Sequence, residues 1–565
     1  MLHFYDFEVF SHDWLVVIIN PVEKTTTIVV NNPDELRAYH EAHKNEIWIG
    51  YNSRRYDQYI LKGILCGFNP KEVNDYIITE GKKGWQFSKL LREIPLINFD
   101  VMLKNDGGLK SLEGFMGNDV RETSVPFDID RKLTPEEIDE TIKYCTHDVE
   151  QTIEVFLARK EEFDAQMGLI KIFKRPLSDL NKTKAQLVAA ICGGLFQKFD
   201  DEFAFPIVDT LCLSKYKHIA EWYRNPDNYD YKKSQEVMVA GVPHTFAWGG
   251  IHGALPKYYG EGLYLMADVT AYYPSLQIRY KFGYRNMGNP ENFEHIHSEN
   301  LRLKKIDKKA RLPYKIADNS MSGQLKDKFS GLYDPRDNNA ICINGQLLLL
   351  DLIEKLEPYC QLIQSNTDGI LIKLDSLKDF DKVDDVVYEW EERTGMRMEF
   401  SWFTKVFQKD VNNYLLVAKD GSYKSKGAYT KNLSQLDYDL PIVNKALIDF
   451  MTKGISVKKT IGDCDELKMF QKIVKLTGKY DFVEHNGKQY GLKCYRVFAS
   501  SSPKDGPILK CKHVDDRIKK DKFGNTPESC FIVNTDVNNL KVPSNLDRFW
   551  YINLANERLS QYGVL

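Results

Sequence analysis

Apolar positions from Tyr264 to Ala267 lead directly to Asp268 and then to Tyr272, Tyr273 and Pro274. The run predicts a strand entering a packed sheet, ending near Pro274 because proline has no amide hydrogen to give a ladder. Asp268 is therefore expected at a strand end, beside a corner that presents Tyr273. Residues 1–10 alternate into another strand, on which Asp6 and Glu8 share a face because side chains repeat every second residue. Glu46 to Tyr51 is a further apolar segment, leading into Asn52, Tyr56 and Asp57. Between Leu362 and Lys373 two apolar strands flank a polar turn, predicting a hairpin with Asp368 at its tip.

Helical patterning is clearest after Thr134. Thr134, Pro135 and Glu137 read as an N-cap, a proline at the first helical position and a capping-box glutamate. Ile138, Ile142, Val149 and Ile153 then form an apolar stripe, and Tyr144 and Asp148, four apart, share a face. Helices are also expected over Ser178 to Lys198, Ile343 to Leu356, Val443 to Lys453 and Glu466 to Leu476. Lys304, Lys308, Arg311 and Lys315 recur at helical steps and predict one basic stripe, with a kink or restart at Pro313. Strands and helices in this mixture indicate α/β and α+β domains.

Composition narrows the class. A chain of 565 residues, 43% apolar and 12% aromatic, holds enough apolar material for two to four domains. The formal charge of −3 argues against a phosphate-rich partner unless positive charge is gathered locally, as it is between Lys304 and Lys315. Ten cysteines are scattered without a C-x-x-C pair, and only Cys511 and His513 bring Cys and His close, which speaks against zinc and disulfide frameworks and fits a reducing compartment. No run of 18 apolar residues occurs and the first residues resemble no signal peptide, so a cytoplasmic chain without a membrane partner is expected.

Each acidic position has an ordinary alternative: Asp6 and Glu8 as an exposed pair, Asp148 as a helix-surface acceptor, Asp268 as a turn aspartate. Together, Asp6, Glu8, Asp57 and Asp148 with the Tyr144 phenol make the acidic set that two-metal phosphodiester hydrolysis requires, with cations ~4 Å apart. Asp268 and Asp368 make a second acidic pair, and Gly249 and Gly250 mark a close backbone approach or a tight hairpin turn.

The three acidic segments, D-x-E from Asp6, N-x-x-x-Y-D from Asn52 and Y-x-x-x-D from Tyr144, resemble in order the three exonuclease motifs of proofreading family B DNA polymerases. Ser111 and Leu112 resemble the element of that family that holds a single-stranded primer end. Lys315, Asn319 and Gly323 resemble its fingers motif, and Asn366, Thr367 and Asp368 its D-T-D hairpin. Gly249 and Gly250 resemble the linker between its two modules, with Ala247 in place of a tyrosine; Ser322, Asn366 and Asn412 likewise replace the family's tyrosine, aspartate and lysine.

The resemblance implies a ribonuclease H-like exonuclease domain followed by a right-hand polymerase, similar to the small phage and linear-plasmid enzymes. The implied domains are exonuclease 1–165, connecting region 166–245, palm 246–290, fingers 291–335, palm 336–430 and thumb 431–565. It implies catalytic roles for Asp6, Glu8, Asp57, Tyr144, Asp148, Asp268 and Asp368, and nucleotide contacts from Tyr273, Lys304, Arg311, Lys315 and Asn319. DNA contacts fall to Asn52, Tyr56, Ser111, Leu112, Asn412, Tyr414, Lys424 and Lys426. Two Mg²⁺ per site, replaceable by Mn²⁺, are implied on Asp6, Glu8, Asp57 and Asp148 and on Asp268, Val269 and Asp368.

The implied partners are a DNA primer-template and dNTPs, with an accessory clamp, helicase or primase, acting on a monomer in the host cytoplasm of a virus. The intervals around Lys315 and Asn319 are too short for the insertions of protein-primed relatives, so extension of an ordinary primer is expected. Two alternatives stay open: an exonuclease whose polymerase half has degenerated, and a non-catalytic nucleic-acid-binding replication factor.

Overall fold

The computed structural model describes residues 1–515 and 517–564. Their packing divides the chain into two compact units. The first comprises Met1–Lys182, Leu433–Pro441 and Cys464–Trp550; the second comprises Thr183–Asn432, Ile442–Asp463 and Tyr551–Leu565. Both are mixed α/β structures. Among the described residues no helix is long and apolar enough to cross a membrane.

The first unit begins β1 (Leu2–Val9), β2 (Trp14–Asn20), β3 (Thr25–Val30), α1 (Pro33–His43), β4 (Ile47–Gly50), α2 (Asp57–Leu65), α3 (Pro70–Ile78), β5 (Ile97–Asp100), α4 (Leu109–Met116), α5 (Pro135–Ala158) and α6 (Lys160–Ile172). The sheet order is β3-β2-β1-β4-β5, with β1 antiparallel to β2 and parallel to β4. Strand parity sorts its side chains. Tyr5, Phe7 and Val9 join Trp48, Ile60 and Leu61 in one core, whereas Phe4 on the other face packs edge-on to Phe156 of α5. Asp6 and Glu8 share the face of Phe4, so α5 lies over them.

The capping box at Thr134 and Glu137 forms as predicted and opens α5. The same unit also holds a three-stranded sheet of Lys472–Lys475, Cys494–Ala499 and Cys530–Ile532, and a four-stranded sheet built on Phe482–His485. The helix expected over Glu466 to Leu476 is corrected here: Leu467–Phe470 is a single 3₁₀ turn and Lys472–Lys475 is a strand. The β-branched pair Ile473 and Val474 fits a half-buried sheet face better than a helix.

The second unit contains α7 (Lys184–Ile191), α8 (Lys217–Arg224), β6 (Gln235–Val239), β7 (Val242–Phe246), β8 (His252–Ala254), β9 (Tyr258–Val269), α9 (Tyr272–Tyr280), α10 (Pro290–Leu303), α11 (Lys308–Lys326) and α12 (Pro335–Leu356). Then follow β10 (Gln361–Asn366), β11 (Gly369–Leu374), α13 (Phe380–Thr394), β12 (Met398–Asp410), β13 (Asn413–Val417) and β14 (Tyr423–Lys426). These strands form one sheet, ordered β14-β13-β12-β9-β11-β10-β8-β7-β6. Tyr264, Met266, Leu371, Phe403 and Tyr414 pack one face. Trp390 of α13 donates to the Leu348 carbonyl of α12 at 2.8 Å, joining two helices.

Two further expectations change. The helix over Ser178 to Lys198 is only α7, preceded by a 3₁₀ turn at Leu177–Asn181 and stopped where Gly193 takes φ 66°. The basic stripe is not one helix: the break falls between Leu303 and Lys308, and α11 runs unbroken through Pro313. Asp307 starts α11 by accepting from the Lys309 and Ala310 amides, which settles the boundary five residues before the proline.

Arg496 is the most consequential buried charge outside the acidic sites. Fully buried, its guanidinium donates to the carbonyls of Thr535 (2.8 Å), Gly114 (3.1 Å) and Asn118 (2.7 Å), closing the C-terminal end of α4. Arg496→Ala is expected to lower the stability of this unit by about 3 kcal/mol, because buried carbonyls lose their donor and a cavity opens. Chemical denaturation followed by far-UV circular dichroism measures it.

Candidate active sites

In the first unit β1, α2 and α5 bring four carboxylates to one place. Asp57 is the first residue of α2; it is 2% exposed, and its Oδ1 accepts from the Phe7 amide at 3.3 Å. Glu8 and Asp148 are also buried. Burial, then repulsion from Asp57 and the other neighbouring carboxylates, holds Asp6 well above the usual carboxylate range. Glu8 is raised well above it by burial and then by Asp148 and Asp57. Burial pushes Asp57 up to about 7 and Asp148 up to about 6.

Lys110 of α4 partly offsets this charge. Its ammonium pairs with Asp148, lies 3.1 Å from Oε1 of Glu113 and sits 4.6 Å from the Tyr144 ring centre. His147 Nε2 and Glu113 Oε2, buried and without hydrogen-bond partners, lie 3.6 Å apart beside Asp148. Lys110, Glu113 and His147 escaped the sequence reading. Their only signal was the three-residue spacing of Lys110 and Glu113 around Ser111 and Leu112, and the adjacency of His147 to Asp148.

A cavity of about 460 Å³ opens on this cluster, lined among others by Asp6, Asn52, Asp106, Gly107 and Asp148. Asn52 adopts φ 62° and its amide donates to Asp100 at 2.9 Å. Tyr56 and Ser111 stand beside the cluster, the Tyr56 phenol raised by burial and then by Asp57, Glu8 and Asp6, and Ser111 next to Gly107 of the cavity wall. Ser111 and Leu112 are buried in α4, and the Tyr56 hydroxyl donates to Asn74 at 2.8 Å. Four oxygen-donor carboxylates that burial makes costly to ionise are a donor set that fits hard divalent cations.

In the second unit the predicted strand end and hairpin tip meet. Asp268 stands opposite Gly369 on β11 and opposite Glu399 on β12. The Val269 amide donates to the Asp368 carbonyl at 2.7 Å, so the two aspartates sit at neighbouring strand ends. A side chain at Gly369 would collide with Oδ1 of Asp268, so glycine is required there. Burial and then the Asp268 charge raise Asp368 above its ordinary range. Lys424 of β14 bonds Asp268 Oδ2 at 2.7 Å, and Lys426 approaches the Asn366 amide oxygen at 3.4 Å. Two carboxylates flanked by an amide oxygen again suit Mg²⁺ or Mn²⁺.

Beside this pair lies a cavity of about 320 Å³ whose lining includes Tyr273, Lys304, Arg311, Lys315, Asn319 and Asp368. Lys308, predicted with them, is exposed and absent from that lining, because the helix break turns it away. Lys304 pairs with Glu399 across the site. Arg311 is fixed by Asn300, whose side-chain oxygen accepts from Nε at 2.7 Å; Asn300 in turn donates to Asp318 at 2.6 Å, which also faces His297 at 3.1 Å. Asn300, Asp318 and His297 carried no motif signal. The Tyr-Tyr-Pro corner opens α9, with Tyr272 bonded to the Gly345 carbonyl at 2.8 Å and the Tyr273 ring in the cavity wall. Asn412 is exposed in the turn between β12 and β13, whereas Tyr414 is buried in β13.

No protein-family model matches the chain. No curated protein matches it either. Among solved structures it is similar to the family B DNA polymerase from the hyperthermophilic archaeon Pyrobaculum calidifontis, at 12% identity over 100% of this chain and 78% of that one, with a TM-score of 0.42. A likeness that distant carries no weight for mechanism, which must come from the two acidic sites themselves.

The carboxylate cluster has a pH signature. Below about 4 folded and unfolded carboxyls are both protonated, and the raised values contribute nothing. Between about 4 and about 7 the unfolded chain releases protons that Asp57 and Asp148 retain when folded. In EDTA, thermal stability is therefore expected to fall as pH rises through that window, less steeply in Asp57→Asn, and Mg²⁺ should restore more of it at pH 8 than at pH 5. Differential scanning fluorimetry reads all three.

Proposed function

We propose that the chain is a DNA-templated DNA polymerase with a 3′→5′ exonuclease in the same polypeptide. The observation that carries this is the meeting of Asp268 and Asp368 at neighbouring strand ends beside a cavity lined by Lys304, Arg311, Lys315 and Asn319. Paired carboxylates beside convergent cations are the arrangement needed to bind a nucleoside triphosphate at its metal-chelated end. The separate four-carboxylate cluster with Tyr144 supports the hydrolytic half.

Asp268, Asp368 and the Val269 carbonyl would hold cations in the synthetic site, and Asp6, Glu8, Asp57 and Asp148 in the hydrolytic one. Bound there, divalent cations supply charge neutralisation and a lowered pKa for the attacking hydroxyl or water. The protein's own groups position and discriminate. Lys315 and Asn319, one helical turn apart on α11, face the triphosphate, and the Asn300–Arg311 bond fixes a third donor. Lys110 offsets part of the cost that burial puts on ionising Asp148 and backs the Tyr144 ring. In this reading the exonuclease, palm, fingers and thumb occupy the segments that the family resemblance implies, and the enzyme serves viral replication.

A 5′-labelled primer-template incubated with Mg²⁺, with and without dNTPs, tests both halves. Wild type is expected to shorten the primer without dNTPs and to extend it with them. Asp57→Ala should lose shortening by about 10³-fold or more and keep extension; Asp268→Ala should do the reverse. Shortening by wild type that dNTPs never convert into extension would leave only a nuclease, and a bound but unchanged primer would leave a binding factor.

In this reading the Tyr273 ring, part of the cavity wall, packs under the sugar and excludes a 2′-hydroxyl. Tyr273→Val is expected to raise ribonucleotide incorporation by about tenfold or more relative to dNTP use, because an unfavourable steric contact is removed. Competitive incorporation of rNTP and dNTP by the Asp57→Ala background measures the ratio.

A further inference from the structure

A third cluster of metal-ligating side chains lies in the first unit, on the face of β1 opposite the carboxylates. His3, His43 and Glu46 present three donor atoms within 4.8 Å of one another. His3 is on β1, His43 is the last residue of α1, and Glu46 sits in the turn that leads into β4. The turn is fixed by the backbone: the Glu46 amide donates to the His43 carbonyl at 3.0 Å, and Trp48 Nε1 donates to the same carbonyl at 3.2 Å. His3 precedes Asp6 by three residues of strand, about 10 Å, and points to the other side of the sheet.

One carboxylate oxygen, Oε2 of Glu46, faces both imidazoles: it bonds His3 Nε2 and lies 3.1 Å from His43 Nδ1. The Met1 ammonium lies 3.9 Å from the same oxygen, and a cation held by two imidazole lone pairs and the carboxylate would take the place of these contacts. Ligands 2.0–2.1 Å from a tetrahedral ion stand about 3.3 Å apart, close to the 3.1 Å between His43 Nδ1 and Glu46 Oε2, while His3 Nε2, hydrogen-bonded to that oxygen, has to draw back from it to share an ion.

The surroundings are those of a built site. His3 is 1% exposed, and its other nitrogen, Nδ1, meets the Tyr39 hydroxyl at 2.8 Å, the outer hydrogen bond that orients a ligating histidine. Tyr39 stands edge-on to His3 at 5.7 Å, and Trp48 lies 5.8 Å from the same ring, so the imidazole has one orientation. His43 and Glu46 are partly exposed, which leaves an entry path and a fourth position for water. His43 also closes α1, where the helix C-terminus favours positive charge.

We propose that His3, His43 and Glu46 form a site for a borderline transition-metal cation of the Zn²⁺ class, completed by water and separate from both carboxylate sites. Two imidazoles and one carboxylate select Zn²⁺ or Co²⁺ over Mg²⁺, which prefers oxygen donors throughout. The ion would tie β1, α1 and the start of β4 together, three segments that no sequence spacing marks as a motif. The assignment is independent of the polymerase and exonuclease reading.

The test uses the full chain, stripped with EDTA, returned to excess Mg²⁺ to fill the oxygen-donor sites, and titrated with Zn²⁺ against a chromogenic chelator. Co²⁺ substitution followed by visible absorption reports coordination. One Zn²⁺ per chain is expected for wild type and for an Asp6→Asn/Asp57→Asn variant, with an intense four-coordinate Co²⁺ band in both. His43→Ala and Glu46→Gln, at partly exposed positions that leave the core intact, should each lose the band and weaken Zn²⁺ binding by about 100-fold or more. Tyr39→Phe should weaken it by about 10-fold or more. No Zn²⁺ uptake by wild type, uptake unchanged in both His43→Ala and Glu46→Gln, or uptake abolished by Asp6→Asn/Asp57→Asn overturns the proposal.

Discussion

Repulsion between buried carboxylates is the constraint on which the candidate chemistry depends. Asp6, Glu8, Asp57 and Asp148 are gathered by β1, α2 and α5 into a space where each raises the cost of ionising the others. A fold tolerates such a cluster only if a cation or a proton relieves it. Lys110 supplies one such charge from near the start of α4, the helix whose C-terminal end receives the buried Arg496 guanidinium.

The second unit solves a smaller version of the same problem with strands. Asp268 and Asp368 meet because β9 and β11 pair in a register that sets Asp268 opposite Gly369, and because a glycine there leaves room for the carboxylate. Lys424 and Lys426 on β14 supply the opposing charge, with two strands, β13 and β12, between β14 and β9 in the sheet order. Long-range strand pairing, rather than any local sequence feature, sets the separation of the acids. The positive wall of the neighbouring cavity is likewise assembled from two helices, α10 and α11, bridged by the Asn300 side chain.

Local patterning was legible where one physical cause dominated. The Thr134 capping box, the strand carrying Asp6 and Glu8, and the hairpin with Asp368 at its tip each follow from short-range rules that neighbouring structure did not override. Patterning failed where two causes competed. Glu466 to Leu476 has helical spacing of its apolar residues, yet Ile473 and Val474 pair into a sheet; the basic stripe spans a helix boundary set by Asp307 rather than by Pro313.

By itself the sequence set out which residue types could carry the candidate chemistry and, through motif order, led to the expectation of two acidic centres. Only the tertiary structure decided which partners stand beside those acids: Lys110 and His147 at one, Lys424 and Lys304 at the other, and Asn300 behind Arg311. It alone brought His3, His43 and Glu46 together. The reason is separation along the chain: a motif records residues within a few positions of one another, whereas a donor set is closed by side chains that sheet register and helix packing bring in from far away.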